Sequence, residues 1–331
     1  MNILITGACG FIGSHLVEKL IKQNHNVKAL TFYNSRNSYG WLDNVDKKIL
    51  KEINIISGDI RDHDFLNEKT KKIDIIFHLA ALIGIPYSYH APKSYIDTNI
   101  TGTYNVLSAA KKNDVSRTII TSTSEVYGTA QQVPILESHP LNAQSPYAAS
   151  KIGADQLTLS FYKSYGLPVT IIRPFNTFGP RQSARAIIPT IITQLLKENK
   201  NIKLGNLKPT RDFTYVDDTT DAFVRAMKTK NILGEVINIG NKFEISIEDI
   251  LKILKKDFGY NFNIKIDKKR IRKKNSEVYR LFASNKKAKK ILKWSPQHSG
   301  LKGFKKGLEK TINWFSNPKN LKYYNSNIYN I

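Results

Sequence analysis

Short apolar runs alternate with longer amphipathic stretches through the first half of the chain. Asn2–Thr6 is the first apolar run; a glycine-rich stretch separates it from residues 14–22, apolar at Leu16, Val17, Leu20 and Ile21. The second spacing is helical, whereas the short run suits a buried strand. Residues 27–32, 53–57 and 73–79 repeat the strand-like pattern, and residues 95–111 carry a helical one. Residues 118–122 predict a further strand, 148–165 a long helix and 169–172 another strand. Strands alternating with helices call for a parallel sheet covered on both faces. The pattern predicts an α/β fold: a Rossmann-type doubly wound parallel sheet.

After Arg173-Pro174 the rhythm breaks. Residues 175–185 read as a Gly/Pro-rich loop, 186–197 as a helix and 208–211 as a basic turn. Residues 235–239 have the character of a strand returning to the main sheet, while 246–258 and 285–292 read as helices. This predicts a sheet domain of residues 1–173 plus about 214–240, and a smaller mixed α/β C-terminal lobe of about 174–213 plus 241–316. Residues 317–331 form an Asn- and Tyr-rich tail, loosely held or packed on a neighbour.

With 331 residues and 41% hydrophobic content the chain can bury a large core. It has no apolar run of about 18 residues, which argues against a membrane span. The net charge of +24 comes from 51 Lys and Arg against 27 Asp and Glu. Such a charge suits nucleic acid, an anionic membrane surface or a polyanionic small substrate. Runs such as residues 269–274 and 286–290 read more simply as solvated lysine-rich faces, so nucleic acid is not the expected partner. The single Cys9 permits no internal disulfide, and the strand at the very N-terminus leaves no room for a signal peptide, so a cytoplasmic location is expected. No His/Cys/carboxylate cluster has metal-ligand spacing, so no metal is expected.

Two local patterns carry chemistry. Between the first strand and helix stands Gly7-Ala8-Cys9-Gly10-Phe11-Ile12-Gly13, three glycines at intervals of three. Glycine lets the backbone turn tightly and approach a phosphate, and the helix N-terminus offers unpaired N–H groups. This position predicts a dinucleotide pyrophosphate site. Cys9 then reads as a small residue filling the turn, and His78 as a satisfied core histidine. The end of the second strand holds Thr31 where an acid would favour NAD; Ser35 or Arg36 could contact a 2′-phosphate, or Arg36 could point into solvent. NAD and NADP both stay open. The second pattern is Ser122-Thr123-Ser124-Glu125-Val126-Tyr127-Gly128, hydroxyls and one carboxylate where a buried strand stops. A helix cap or turn would draw Ser and Thr in the same way.

Tyr147 and Lys151, four apart, share one face of a helix. With the glycine turn and Thr123-Ser124-Glu125, they make the chain resemble the extended short-chain dehydrogenase/reductase superfamily. The likeness also covers Asp59-Ile60, Leu79-Ala80-Ala81, Asn99 and residues 173–181. It implies an adenine contact at Asp59 and Ile60, a cofactor-side loop at Leu79, Ala80 and Ala81, and a structural Asn99. Within the superfamily the chain is most similar to nucleotide-sugar 4,6-dehydratases of the GDP-mannose type. Residues 122–131, 145–156, 173–194 and 209–213 resemble the dehydratases of legionaminic acid synthesis, which act on GDP- or UDP-linked N-acetylglucosamine. Lys273, where relatives often have Pro, and the missing acid at Thr31 are departures.

The resemblance implies a tightly bound, recycled NAD or NADP. Tyr147 becomes the base for the C4 hydroxyl, with Lys151 lowering its pKa and holding the nicotinamide ribose, and Thr123 bonding the same oxygen. Glu125 becomes the base for C5 and returns that proton to the leaving C6 hydroxyl, through Ser124 or a water. Asn176, Arg181, Arg185, Arg211, Glu277 and Arg280 would line the nucleotide-sugar site. Residues 95–111 and 148–165 resemble the helices of a four-helix dimer contact, so a homodimer or higher assembly is expected. The rivals are a UDP-sugar decarboxylase, a 4-epimerase, for which Glu125 has no task, and a non-catalytic nucleic-acid binder on the same fold.

Overall fold

The structure is a computed structural model that describes residues 1–197, 200–325 and 329. Seven strands form its main sheet: β1 (Asn2–Thr6), β2 (Asn26–Phe32), β3 (Asn54–Gly58), β4 (Ile75–His78), β5 (Arg117–Thr121), β6 (Val169–Pro174) and β7 (Val236–Ile239). Their order is β7-β6-β5-β4-β1-β2-β3, and every pairing is parallel. The central strands are buried on both faces, β6 at every position, which is why they read as continuous runs of Val, Ile and Thr. This is the Rossmann-type doubly wound sheet, and residues 235–239 do return to it as β7.

Helices α1 (Phe11–Ile21) and α4 (Val216–Lys228) cover one face, packing Leu16, Val17 and Phe223 against Ile3, Ile5 and Phe77. Helices α2 (Gly102–Lys112) and α3 (Pro146–Tyr165) cover the other, with Val106, Leu107 and Phe161 against Leu4, Ile76 and Ile120. A separate core gathers much of the lobe, with Phe178, Ile188, Ile191, Phe213, Ile250 and Leu308 among its residues. Helix α5 (Gly300–Ser316) supplies Phe304, Leu308, Ile312 and Phe315 to that core. The helix over residues 286–292, expected in the lobe, instead packs Ala288 and Leu292 into the core of the sheet.

Several elements differ from the expectation. Residues 95–111 are not one helix: a short helix Pro92–Tyr95 leads into a π-helical turn, Ile96–Thr101, and only then into α2. The widened turn holds Asn99, whose amide donates to Leu82 O and Ser150 Oγ, both at 2.9 Å, and accepts from Leu82 N at 2.9 Å. Residues 208–211 are not merely a turn, since Thr210–Asp212 pairs with Glu244–Ser246 and Arg280–Leu281. Of the tail, Tyr324 is buried in the lobe core of its own chain, while residues 326–328, 330 and 331 lie outside the described part. No described helix is long and apolar enough to cross a membrane.

Candidate active site

All seven strands point the same way, so their C-terminal ends open onto one edge. There a cleft of about 1020 Å³ runs from the glycine turn past the ends of β2, β3, β4 and β5 to the loop after β6.

The glycine turn forms one wall. Gly7 has φ +69, and a Cβ there would fall 2.7 Å from Ala80 N; a Cβ on Gly13 would meet Gly7 O at 2.2 Å. Neither position admits a side chain. Gly10 caps α1 without any side-chain hydrogen bond, and the first turn contains no acid. Phe11, Ile12 and Gly13, in the first turn of the helix, line the cleft, so it borders a positive helix end, an arrangement that suits an anion. Thr6 Oγ1 accepts from Leu79 N and Ala80 N, both at 3.2 Å, which fixes the Leu79, Ala80 and Ala81 loop against the turn. His78 bridges Thr6 Oγ1 (2.8 Å) and Thr103 Oγ1 (3.1 Å) with its two ring nitrogens, and burial brings its pKa down to about 3. It is a satisfied core histidine.

Asp59 and Ile60 line the cleft where β3 ends, and the Arg61 guanidinium holds the Asp59 carboxyl below its usual range. Of the two places open to Arg36 the structure shows the solvent-facing one, and Ser35 goes with it rather than to the cofactor side. Both are exposed and neither lines the cleft. Asn34 Oδ1 accepts from Arg36 N (3.0 Å) and its amide donates to Ser38 O (2.8 Å), a local turn that carries 35 and 36 outward and brings Ser38 to the wall.

Thr123, Ser124 and Glu125 follow β5 in a tight 3₁₀ turn, Ser124–Tyr127, with Thr123 Oγ1 accepting from Glu125 N at 3.2 Å. So the Ser/Thr cluster at the end of β5 is a cap, and it is also part of the cleft. Glu125 is only 9% exposed, and what it exposes faces the cleft. Tyr147 and Lys151 enter from the first two turns of α3, whose N-cap Ser145 accepts from Ala148 N at 3.1 Å. Lys151 Nζ donates to Thr121 O at 2.7 Å, and burial lowers its pKa against the opposing pull of Asp155.

Burial raises the Tyr147 pKa well above its ordinary value; the Thr123 hydroxyl opposes this and the Glu125 carboxylate adds to it. The protein alone thus leaves the phenol harder to ionise, and burial, not the lowering expected from Lys151, sets the direction. The three groups nonetheless form one electrostatic unit: hydroxyl, phenol and carboxylate.

On the lobe side, Asn176, Arg181 and Arg185 line the cleft, and Asn176 Oδ1 is buried without a hydrogen-bond partner. Arg181 pairs with Glu18 at 2.8 Å. Arg211 and Glu277 lie buried behind the wall, 3.9 Å apart, with Arg211 close enough to Glu125 to feel its charge. Arg280 is not a cleft residue: it forks onto Glu244 on the outer side of the small sheet, 47% exposed. Arg272 was not foreseen. It lines the cleft, and its buried Nη1, which has no hydrogen-bond partner, stands 3.8 Å from the Glu277 carboxylate. In the sequence it is hidden in the basic run 269–274. Among the described residues no group of His, Cys, Asp and Glu could hold a metal ion.

The profile of the family described as GDP-mannose 4,6 dehydratase matches residues 4–310. A putative UDP-glucose 4-epimerase of Methanocaldococcus jannaschii is 34% identical over 95% of this chain and 98% of its own. The dTDP-glucose 4,6-dehydratase of Streptomyces antibioticus is 31% identical over 95% and 92%. Among solved structures, the UDP-glucuronic acid 4-epimerase of Bacillus cereus, in complex with UDP-glucuronic acid and NAD, superposes with a TM-score of 0.86 at 32% identity, covering 98% of this chain and all of that one. The chain therefore belongs to the GDP-mannose 4,6-dehydratase family of extended short-chain dehydrogenases/reductases, whose relatives are nucleotide-sugar dehydratases, epimerases and decarboxylases.

Proposed function

We propose that this protein is an NAD(P)-dependent nucleotide-sugar 4,6-dehydratase, a hydro-lyase of the kind used in legionaminic acid synthesis. Its substrate is a nucleoside-diphosphate hexose, with GDP-N-acetylglucosamine the first choice, and its product the 4-keto-6-deoxy sugar. The observation that carries this reading is the Glu125 carboxylate in the cleft, within electrostatic reach of Tyr147.

The cleft suits a dinucleotide: an uncapped, acid-free helix N-terminus behind glycines that admit no side chain, then Asp59 and Ile60 on one side and Tyr147 and Lys151 on the other. A nicotinamide held there supplies a hydride acceptor for C4 and a donor for C6, with no net consumption. Tyr147 takes the C4 hydroxyl proton, and Thr123 holds the same oxygen. Ionising so deeply buried a phenol needs the help of positive charge, which Lys151 supplies when the ligands fill the cleft. A C4 ketone acidifies C5. Glu125 then removes the C5 proton and delivers it to the C6 hydroxyl, which leaves as water; as the hydride returns to C6, C5 regains a proton from solvent. Arg181, Arg185 and Arg272 offer donors to the diphosphate, with Asn176 beside them. In this reading residues 1–173 and about 214–240 hold the cofactor, and residues 174–213 with 241–316 hold the nucleotide sugar.

A 4-epimerase is the second reading, favoured by full-length epimerase likenesses. It needs no base at C5, which leaves Glu125 idle. Incubation with GDP- and UDP-linked N-acetylglucosamine, followed by mass spectrometry and proton NMR of the sugar, separates the two. Loss of one water supports the dehydratase; an unchanged mass with inverted C4 supports the epimerase and ends the first reading.

A further inference from the structure

The family match ends at residue 310, so the C-terminal residues beyond it lie outside the shared profile. After α5, a short helix, Pro318–Leu321, turns the chain, and Tyr323 reaches the wall of the cleft. Two adjacent hydroxyls then bond in different directions. Tyr323 OH donates to Asn44 Oδ1 at 3.3 Å, and Tyr324 OH donates to Gln182 O at 3.0 Å. Asn44 and Gln182 both line the cleft. The first belongs to the segment after β2 and the second to the loop after β6, strands on either side of the central pair β4 and β1.

Trp41 lies between these anchors. Its ring meets Tyr323 and Trp314 at centroid distances of 5.5 Å each and stacks on Tyr324 at 5.9 Å. Its backbone N–H donates to Cys9 O, within the glycine turn, at 3.1 Å. Trp41 also lines the cleft. Lys197 Nζ holds Tyr324 O at 3.0 Å, and the Tyr324 ring is buried in the lobe core. The tail is thus rooted in the lobe while its side chains grip the segment that covers the glycine turn.

We infer that Tyr323 and Tyr324 form a strap joining the two walls of the dinucleotide cleft, and that the strap slows cofactor exchange. This rests on the reading that the cleft holds a nicotinamide dinucleotide. Opening the mouth means breaking two hydroxyl bonds and pulling Trp41 from three aromatic neighbours, a cost met on the way out and absent from the fully bound state. A cofactor regenerated at every turnover has no need to leave, so a slow exit carries no kinetic penalty.

The test uses the full chain loaded with NAD. Tyr323→Ala combined with Tyr324→Phe removes both hydroxyl bonds and one ring while keeping the buried ring in place. The dissociation rate, followed by displacement with excess unlabelled NAD, should rise about tenfold, the scale of losing one to two such contacts. Tyr323→Phe, at a residue 52% exposed, gives a milder rise and serves if the double variant unfolds. An unchanged rate in a folded variant overturns the strap and leaves dinucleotide binding standing. A wild-type protein that retains no NAD or NADP at all overturns both.

Discussion

Asp155 on α3 and Arg173 on β6 form an ion pair of 2.9 Å sealed inside the protein, with 0% and 3% of their side chains exposed. Ser122 Oγ donates to the same Asp155 oxygen at 2.7 Å, and Arg173 Nη1 donates to Tyr127 OH at 2.9 Å. Tyr127 in turn donates to Asn238 Oδ1 at 2.8 Å. Asp155 stands one helical turn beyond Lys151, and Ser122 and Tyr127 bracket Thr123 to Glu125. The network therefore ties the helix bearing Tyr147 and Lys151 to the strand end bearing Thr123 and Glu125. Their spacing is set by buried charge rather than by loop conformation.

Removing one partner should be costly and removing both much less so. Asp155→Leu leaves an unpaired guanidinium in the core and should cost about 3–5 kcal/mol, whereas Asp155→Leu with Arg173→Met should regain most of that. Chemical denaturation of these two variants and of Arg173→Met alone measures it. Simple additivity of the single losses would mean that the pair does not act as a unit.

Stability should also respond to acid through His78. Its folded pKa, about 3, lies below the ordinary 6.5 because it is buried beside Lys151. Between those values the unfolded chain binds a proton that the folded one refuses. The contribution is fully present above 6.5 and drains away as pH falls towards 3, at up to about 1.4 kcal/mol per pH unit. His78→Gln should flatten the decline of the melting temperature between pH 7 and pH 5. Parallel curves for the two proteins would remove His78 as the cause.

Ile96, Tyr104 and Tyr165 are exposed large apolar residues on the π-helical turn, α2 and α3. If these helices meet a second copy, as proposed from their likeness to a four-helix contact, Tyr104→Glu places two charges across the twofold interface. Light scattering should give a dimer for the wild type and a monomer for the variant. A monomeric wild type would contradict the assignment.

The strands and the helix α3 were legible because each carries its signal locally: short apolar runs for β1 to β6 and glycines at intervals of three for the turn, although the start of α3 at Pro146 falls two residues before the expected 148. Helices α4 and α5 gave no such signal. The first begins Val216-Asp217-Asp218-Thr219-Thr220, poor helix formers that hide its apolar period, and the second carries Gly300, Gly303 and Gly307. Their stability comes from packing Phe223 and Phe304 into the cores. The site divides in the same way. Thr123, Ser124, Glu125, Tyr147 and Lys151 converge on the cleft because strand ends and helix starts meet at one edge of the sheet. Trp41 and Tyr323 join it only through contacts across most of the chain, and Arg280 is withdrawn by Glu244, a partner no local pattern announces.

The most direct test is at Glu125, run in deuterated water with GDP-N-acetylglucosamine and the Glu125→Gln variant beside the wild type. The wild type should yield a product lighter by one water and carrying solvent deuterium at C5. The variant should bind the substrate and lose at least about a hundredfold in that turnover, together with the C5 label. A variant that still eliminates water and exchanges C5 at the wild-type rate would contradict the role given to this carboxylate.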